Sequence, residues 1–222
     1  MRIKLDPASN PYEIEERSFA IIESEIPEPR PYAGLLWQIA RRCIHAMGDT
    51  SILPNLVLQE KALDGGMLAM RKAGEIYTDT RMLAAGLVQR RMQPLGIRVF
   101  PLMELPGLDE LAARDGITRS AAAIRLVVPR LDGKIIAIGN APTALLTLMN
   151  ELKKVAAEGQ KINPALVIGM PVGFVNAEQS KELLLESGLP HFTLKGRRGG
   201  SAVAAACINA MAEQALRERK ME

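Results

Sequence analysis

The sequence is poor in the residues that most often carry chemistry. Histidine occurs twice in 222 residues, as His45 and His191, and cysteine twice, as Cys43 and Cys207. The cysteines lie far apart in apolar, helix-patterned stretches, so they supply neither a disulfide framework nor the spacing of a metal site. A reducing compartment fits that usage, and the cytoplasm is the expected location. With four phenylalanines, three tyrosines and one tryptophan, aromatic stacking platforms are scarce, and the formal charge is only +3. No block of lysines and arginines compensates, which argues against a nucleic-acid partner. No run approaches the roughly 20 apolar residues that span a bilayer, and MRIKLDPASN has no signal-peptide centre, so no membrane partner is expected either. A small anionic molecule fits the mildly basic balance.

Several signatures are missing as well. There is no Walker loop, no GxGxxG dinucleotide fingerprint and no GxSxG elbow. Neither cysteine sits in a setting that would activate it as a nucleophile. His191 has no imidazole or carboxylate at metal-ligand spacing and reads as structural. The residues therefore imply no metal and no cofactor.

What the chain does have is α/β grammar. Residues 13–26, EIEERSFAIIESEI, and the stretch YAGLLWQIARRCIHAMG read as helices separated by the proline-rich bend PEPRP. Further on, LVLQ, IRVFPLM, KIIAIGN, PALVIGMPV and HFTLKG are short apolar or β-branched runs, mostly followed by a helical pattern that opens on small residues. That alternation predicts an α/β fold: a mostly parallel twisted sheet covered by helices, with a helical N-terminal segment, in one domain over 1–222. Ligands of such sheets collect beyond the carboxyl ends of the strands.

The candidate site residues fall in that grammar. In RCIHAMGDT, the stripe of Leu35, Leu36, Ile39, Ala40, Cys43, Ile44 and Met47 turns inward. His45 falls outside it, with Arg42 three residues back and able to point at the same ligand. From position alone, His45 reads first as a last-turn residue that complements the helix dipole and caps carbonyls. GNAPTA suggests Asn140 as a helix N-cap, and DGITRSAAAI suggests Thr118 as another, followed by Arg119 and Ser120. GRRGGSA joins Arg197 and Arg198 to Gly199, Gly200 and Ser201 at a helix start, an anion cradle in form, although such turns are more often only turns. YTDTRM offers Asp79 and Arg81 as a surface ion pair. The residues by themselves lead to an α/β binder of a polyanion with one candidate acid-base histidine.

Taken in order, ERSFAII, RCIHAMGD, TRSAAA, IAIGNAPTAL, ALVIGMPVGFV and GRRGGSAVAAA resemble the precorrin-8X methylmutase family over nearly the whole chain. The resemblance implies a homodimeric, cofactor-independent isomerase of cobalamin biosynthesis that shifts a methyl group from carbon 11 to carbon 12 of a corrinoid substrate. It gives His45 the proton-transfer role and makes Ser18 and Arg42 substrate contacts. Arg119, Ser120, Asn140, Gly199, Gly200 and Ser201 join them as anchors by motif and charge. The chain departs from the family pattern at Tyr77, where a cysteine is common, and in the long bend PEPRPYAGL. Two other classes fit the residues: a nucleotide- or phosphate-binding enzyme using GRRGGSA and GNAPTA, and a non-catalytic corrinoid-binding protein.

Overall fold

The computed structural model describes residues 10–221. Two helices lead, α1 (Pro11–Glu25) and α2 (Gly34–Met47). The periodic stripe forms the inner face of α2: Leu36, Ile39, Ala40, Cys43 and Ile44 are buried, joined by Trp37. Each large side chain so placed contributes about 1.5 to 3 kcal/mol. Gly48 ends the helix at φ 60°, a left-handed conformation that a Cβ would strain, and its N–H donates to the carbonyl of His45.

After a 3-10 turn at Thr50–Asn55 the chain runs through β1 (Leu56–Leu58), α3 (Glu60–Arg71), β2 (Glu75–Thr78), α4 (Arg81–Ala85), α5 (Gln89–Met92) and β3 (Arg98–Pro101). It continues through α6 (Leu108–Asp115), α7 (Arg119–Val127), β4 (Ile135–Ile138), α8 (Pro142–Ala157), β5 (Leu166–Gly169), α9 (Ala177–Glu186), β6 (His191–Leu194) and α10 (Ser201–Arg219). The six strands lie in the order β1-β6-β5-β4-β2-β3. All neighbours are parallel except β1, which runs antiparallel to β6 with Leu56 opposite Leu194. The fold is thus the expected mostly parallel α/β sheet. Strand β2, formed by EIYT, is an addition to the expected strands.

Every residue of β4, β5 and β6 is buried, as a sheet covered on both faces requires. Successive side chains serve opposite layers. Ile135 and Ala137 of β4 pack with α2, α3 and α10, whereas Ile136 and Ile138 pack with α7 and α8. Helix α10, rich in small residues from Ala202 to Ala206, lies close against α2 and brings Cys207 Sγ to 3.4 Å from Cys43 Sγ. The two cysteines are therefore adjacent in space, contrary to the expectation from their separation in sequence. Both are fully buried, and the hydrogen bond with Cys43 together with burial raises Cys207 well above the usual thiol range.

Strand order reverses between β2 and β4: β3 follows β2 to one side, and β5 and β6 follow β4 to the other. In doubly wound sheets that crevice is the usual ligand site. Here Asp79, which follows β2, fills it. Its Oδ1 accepts the Gly139 N–H at 3.1 Å, and its Oδ2 accepts those of Asn140 and Ala141 at 2.7 and 3.0 Å. Asp79 is buried, not a surface ion pair with Arg81, which pairs instead with Glu104 at 3.1 Å. Burial raises the Asp79 carboxyl, against the lowering effect of the three N–H groups.

Candidate active site

The sequence-predicted residues sort into two neighbourhoods. Ser18 on α1 and His45 on α2 face one pocket of about 470 Å³, walled also by Ile22, Ile44, Asp49 and Thr50. The Phe19 and His45 rings meet in a T-shaped pair, with centroids 5.6 Å apart and planes at 67°. His45 is exposed, and its ring makes no hydrogen bond to the described residues. Gly48 does the capping, so the imidazole is left to the pocket. Ser18 Oγ donates to the Ile14 carbonyl at 2.8 Å, which leaves the hydroxyl oxygen able to accept.

Arg42 does not point where His45 points. The structure places it on the far side of Phe19, with its guanidinium carbon 5.4 Å from that ring. There Nη1 donates to Glu15 and Nη2 to Glu213, both at 2.8 Å. It lines a second cavity, of about 840 Å³. Residues three apart on a helix differ by about 60° in direction, and Arg42 is held to its side by Glu15 of α1 and Glu213 of α10.

The remaining predicted residues gather at the carboxyl edge of the sheet, where α7, α8 and α10 begin. Thr118 caps α7 by accepting the Ala121 N–H at 3.1 Å, and it donates to Thr143 of α8 at 3.0 Å. Arg119 beside it is exposed and paired with Asp109 at 2.8 Å, and Ser120 is partly buried. Asn140 is not the N-cap of α8. That position is Ala141, because Asp79 already satisfies the N–H groups approaching the helix. What Asn140 presents outward is its exposed side chain.

The glycine loop is likewise engaged internally. Gly200 N–H donates to the Met170 carbonyl at 2.8 Å, and Ser201 Oγ lies 3.2 Å from Thr80 Oγ1. A Cβ on Gly199 would sit 2.3 Å from the Met170 oxygen, so only glycine allows the two loops this approach. Of the cradle expected from the N–H groups around Asn140 and Gly199 to Ser201, the Asn140 donor is spent on Asp79 and the Gly200 donor on Met170. Arg198, expected to face an anion, donates to Asp49 at 2.5 Å and to Ser51 Oγ at 2.9 Å. That contact joins the glycine loop to the rim of the His45 pocket.

Two residues that the sequence did not single out hold this arrangement. Lys181 on α9 is buried and donates to the Arg198 carbonyl at 2.7 Å; burial lowers its ammonium to about 8. Phe19 lines the larger cavity and touches both the His45 ring and the Arg41 guanidinium. Its sequence signal was present in RSFAII, yet its place depends on how α1 crosses α2, which no local period encodes. His191 is structural as expected: it is buried, with Nδ1–H donating to the Leu189 carbonyl at 2.8 Å, and desolvation lowers its pKa. Among the described residues, no three His, Cys, Asp or Glu side chains gather as a metal site, and no helix is long and apolar enough to cross a membrane.

Comparison with known proteins bears on the whole of this frame. A sequence model described as precorrin-8X methylmutase matches residues 13–214. The chain is 39% identical over 205 residues to a precorrin-8X methylmutase of Sinorhizobium sp, covering 91% of this chain and 94% of that one. It is 38% identical over 206 residues to the cobalt-precorrin-8 methylmutase of Salmonella typhimurium, covering 90% and 94%. Among solved structures, the precorrin-8x methyl mutase from Thermus thermophilus superposes with a TM-score of 0.83 at 34% identity, covering 93% of this chain and 97% of that one. Fold, sequence and length agree, and the chain belongs to the precorrin-8X methylmutase family of isomerases.

Proposed function

We propose that this isomerase moves a methyl group from carbon 11 to carbon 12 of precorrin-8X or cobalt-precorrin-8, giving hydrogenobyrinate or cobyrinate. The observation that carries this reading is the pairing of Ser18 with an exposed, uncapped His45 in one pocket of a chain similar to methylmutases over nearly its full length. A methyl shift needs no redox partner. A proton lent to the conjugated macrocycle lowers the barrier to migration, and imidazole is suited to lend it near neutral pH.

In this reading His45 supplies the proton, Ser18 positions the ring above it, and Arg42 attracts the acetate and propionate arms. Arg119, Ser120, Asn140, Gly199, Gly200 and Ser201 form a second rim at the carboxyl edge of the sheet. The protein acts as a single cytoplasmic domain, without cofactor, and as a homodimer. The nucleotide-binding alternative is less well supported, because Asp79 occupies the N–H groups at the approach to α8 that a phosphate would use.

The test is incubation of purified protein with precorrin-8X and, separately, cobalt-precorrin-8, followed by visible absorption. Conversion of either without added nucleotide or reductant is expected. An absolute requirement for ATP or NADPH, or tight binding with no turnover of both, would sink the reading in favour of the enzyme or carrier alternative respectively.

A further inference from the structure

The larger cavity, on the side of Phe19 away from His45, has chemistry of its own. Five arginines line it: Arg41 and Arg42 from α2, Arg90 and Arg91 from α5, and Arg217 from α10. Three of them converge on one carboxylate. Glu213 Oε2 accepts from Arg42 at 2.8 Å and from Arg91 at 2.9 Å, and Oε1 accepts from Arg217 at 2.7 Å. Arg90 is exposed and pairs with no carboxylate among the described residues. The lining sets five arginines against four glutamates, Glu15, Glu16, Glu23 and Glu213, which leaves one formal positive charge, and Arg90 is the guanidinium with no carboxylate partner among the described residues.

Each guanidinium has five N–H donors in a planar fork. Arg217 spends one on Glu213, and its side chain remains 60% exposed. Arg41 gives Nη1 to Glu23 at 2.8 Å, while its buried Nε has no partner. The acidic residues thus hold the forks in place without exhausting them, which lowers the ordering cost of binding a further carboxylate. The His45 pocket lacks this character. No arginine among the described residues lines it, and its acids are Glu25 and Asp49, the latter paired with Arg198. A molecule bearing many carboxylates finds guanidinium donors on the arginine side and none in the lining of the other. Crowding acts in the same sense at Arg91, which burial and the nearby Arg42 and Arg90 charges make less basic than usual, so an incoming anion would relieve it.

From this juxtaposition we propose that the arginine cavity is a polycarboxylate-binding site in which Arg90, Arg91 and Arg217 hold acid arms of the substrate. Arg42 had been the one arginine of this wall assigned to substrate. The proposal rests on the corrinoid reading only for the identity of the ligand; the cavity's preference for carboxylates stands on its own residues. Phe19 links the halves, with one side toward the imidazole and Arg41 over its ring at 4.2 Å.

The test uses the exposed residues, so that the fold survives. Arg90→Gln with Arg217→Gln is compared with the wild type for binding of hydrogenobyrinic acid by visible absorption, and of citrate, a small polycarboxylate, by calorimetry, with melting temperature as the fold control. The proposal expects both dissociation constants to rise about tenfold or more, which corresponds to ~1.4 kcal/mol per decade. Unchanged constants in a folded variant would overturn it. If the wild type neither binds nor converts any corrinoid, the proposed reaction fails, and citrate alone decides the cavity: loss of citrate binding in the variant supports it, and equal binding refutes it. Should the double variant not fold, Arg90→Gln alone decides the matter, with about threefold weaker binding expected and equal binding again overturning the site.

Discussion

At the scale of single residues, His45 was legible through scarcity. One of two histidines lay off the buried stripe of a well-patterned helix, and the structure frees its ring by giving the cap to Gly48. Removing the imidazole should therefore cost little stability, no more than the roughly 0.3 to 1 kcal/mol of a dipole contact. His45→Ala is expected to lower the single-turnover rate by about 100- to 10,000-fold, as loss of a general acid does, while product affinity stays near that of wild type. Rate and melting temperature measured on one sample separate the roles; a normal rate with a lowered melting temperature would make His45 a purely structural residue. Arg42 was less legible. Its lying off the stripe could be read, but its partner Glu213 is 171 positions away, and Phe19 comes between it and His45 only because of the way two helices cross.

Among the elements, those with a strong local period were readable: α2 by its apolar stripe, and β4, β5 and β6 by compact apolar runs that match their complete burial. Strand β2 was not. Its four residues, EIYT, carry no alternating pattern, and the strand exists because β3 and β4 pair with it on either side. The cap of α8 was misplaced for a related reason, since the groups that satisfy its approach come from the residue after that unread strand. The glycine loop shows what short motifs can convey. GRRGGSA announced a tight helix entry, but its close partner, the Met170 carbonyl, could not be known. Gly199→Ala should force apart two backbone segments that now leave 2.3 Å for a Cβ. Steric insertion of this kind costs about 1 to 3 kcal/mol, and because Arg198 is the next residue back, its pair with Asp49 should loosen as well. Urea titration would register the first effect, and faster tryptic cleavage at Arg197 and Arg198 the second. Unaltered cleavage would show that the loop does not depend on this approach.

On the scale of the whole molecule, the decisive feature is the reversal of strand order between β2 and β4, and what fills it. Sequence grammar leads to this crevice as the ligand site, and the physics of helix N-termini gives it affinity for anions. The protein supplies that anion itself in Asp79, and the proposed reading accordingly puts the chemistry in the pocket of Ser18 and His45 and at the arginine wall behind Phe19. The assignment can be tested through stability. In Asp79→Asn one carboxylate oxygen becomes an NH2 group, and whichever way the amide turns, at least one of the Gly139, Asn140 and Ala141 N–H groups faces a donor. An unsatisfied buried group costs about 1 to 3 kcal/mol, and the variant should be destabilised by that order in urea titration at neutral pH. The pH dependence carries a second signature. Burial raises the Asp79 carboxyl above the ordinary carboxylate range, so the folded chain holds a proton that the unfolded chain has released over the pH range between the two values. Stability from this group is therefore present below that range and declines as pH rises through the folded value. The variant lacks the titrating group and should lose that component of the slope. Equal stabilities and equal slopes would mean that Asp79 does not hold the crevice closed, and would return that edge of the sheet to candidacy as a nucleotide or phosphate site.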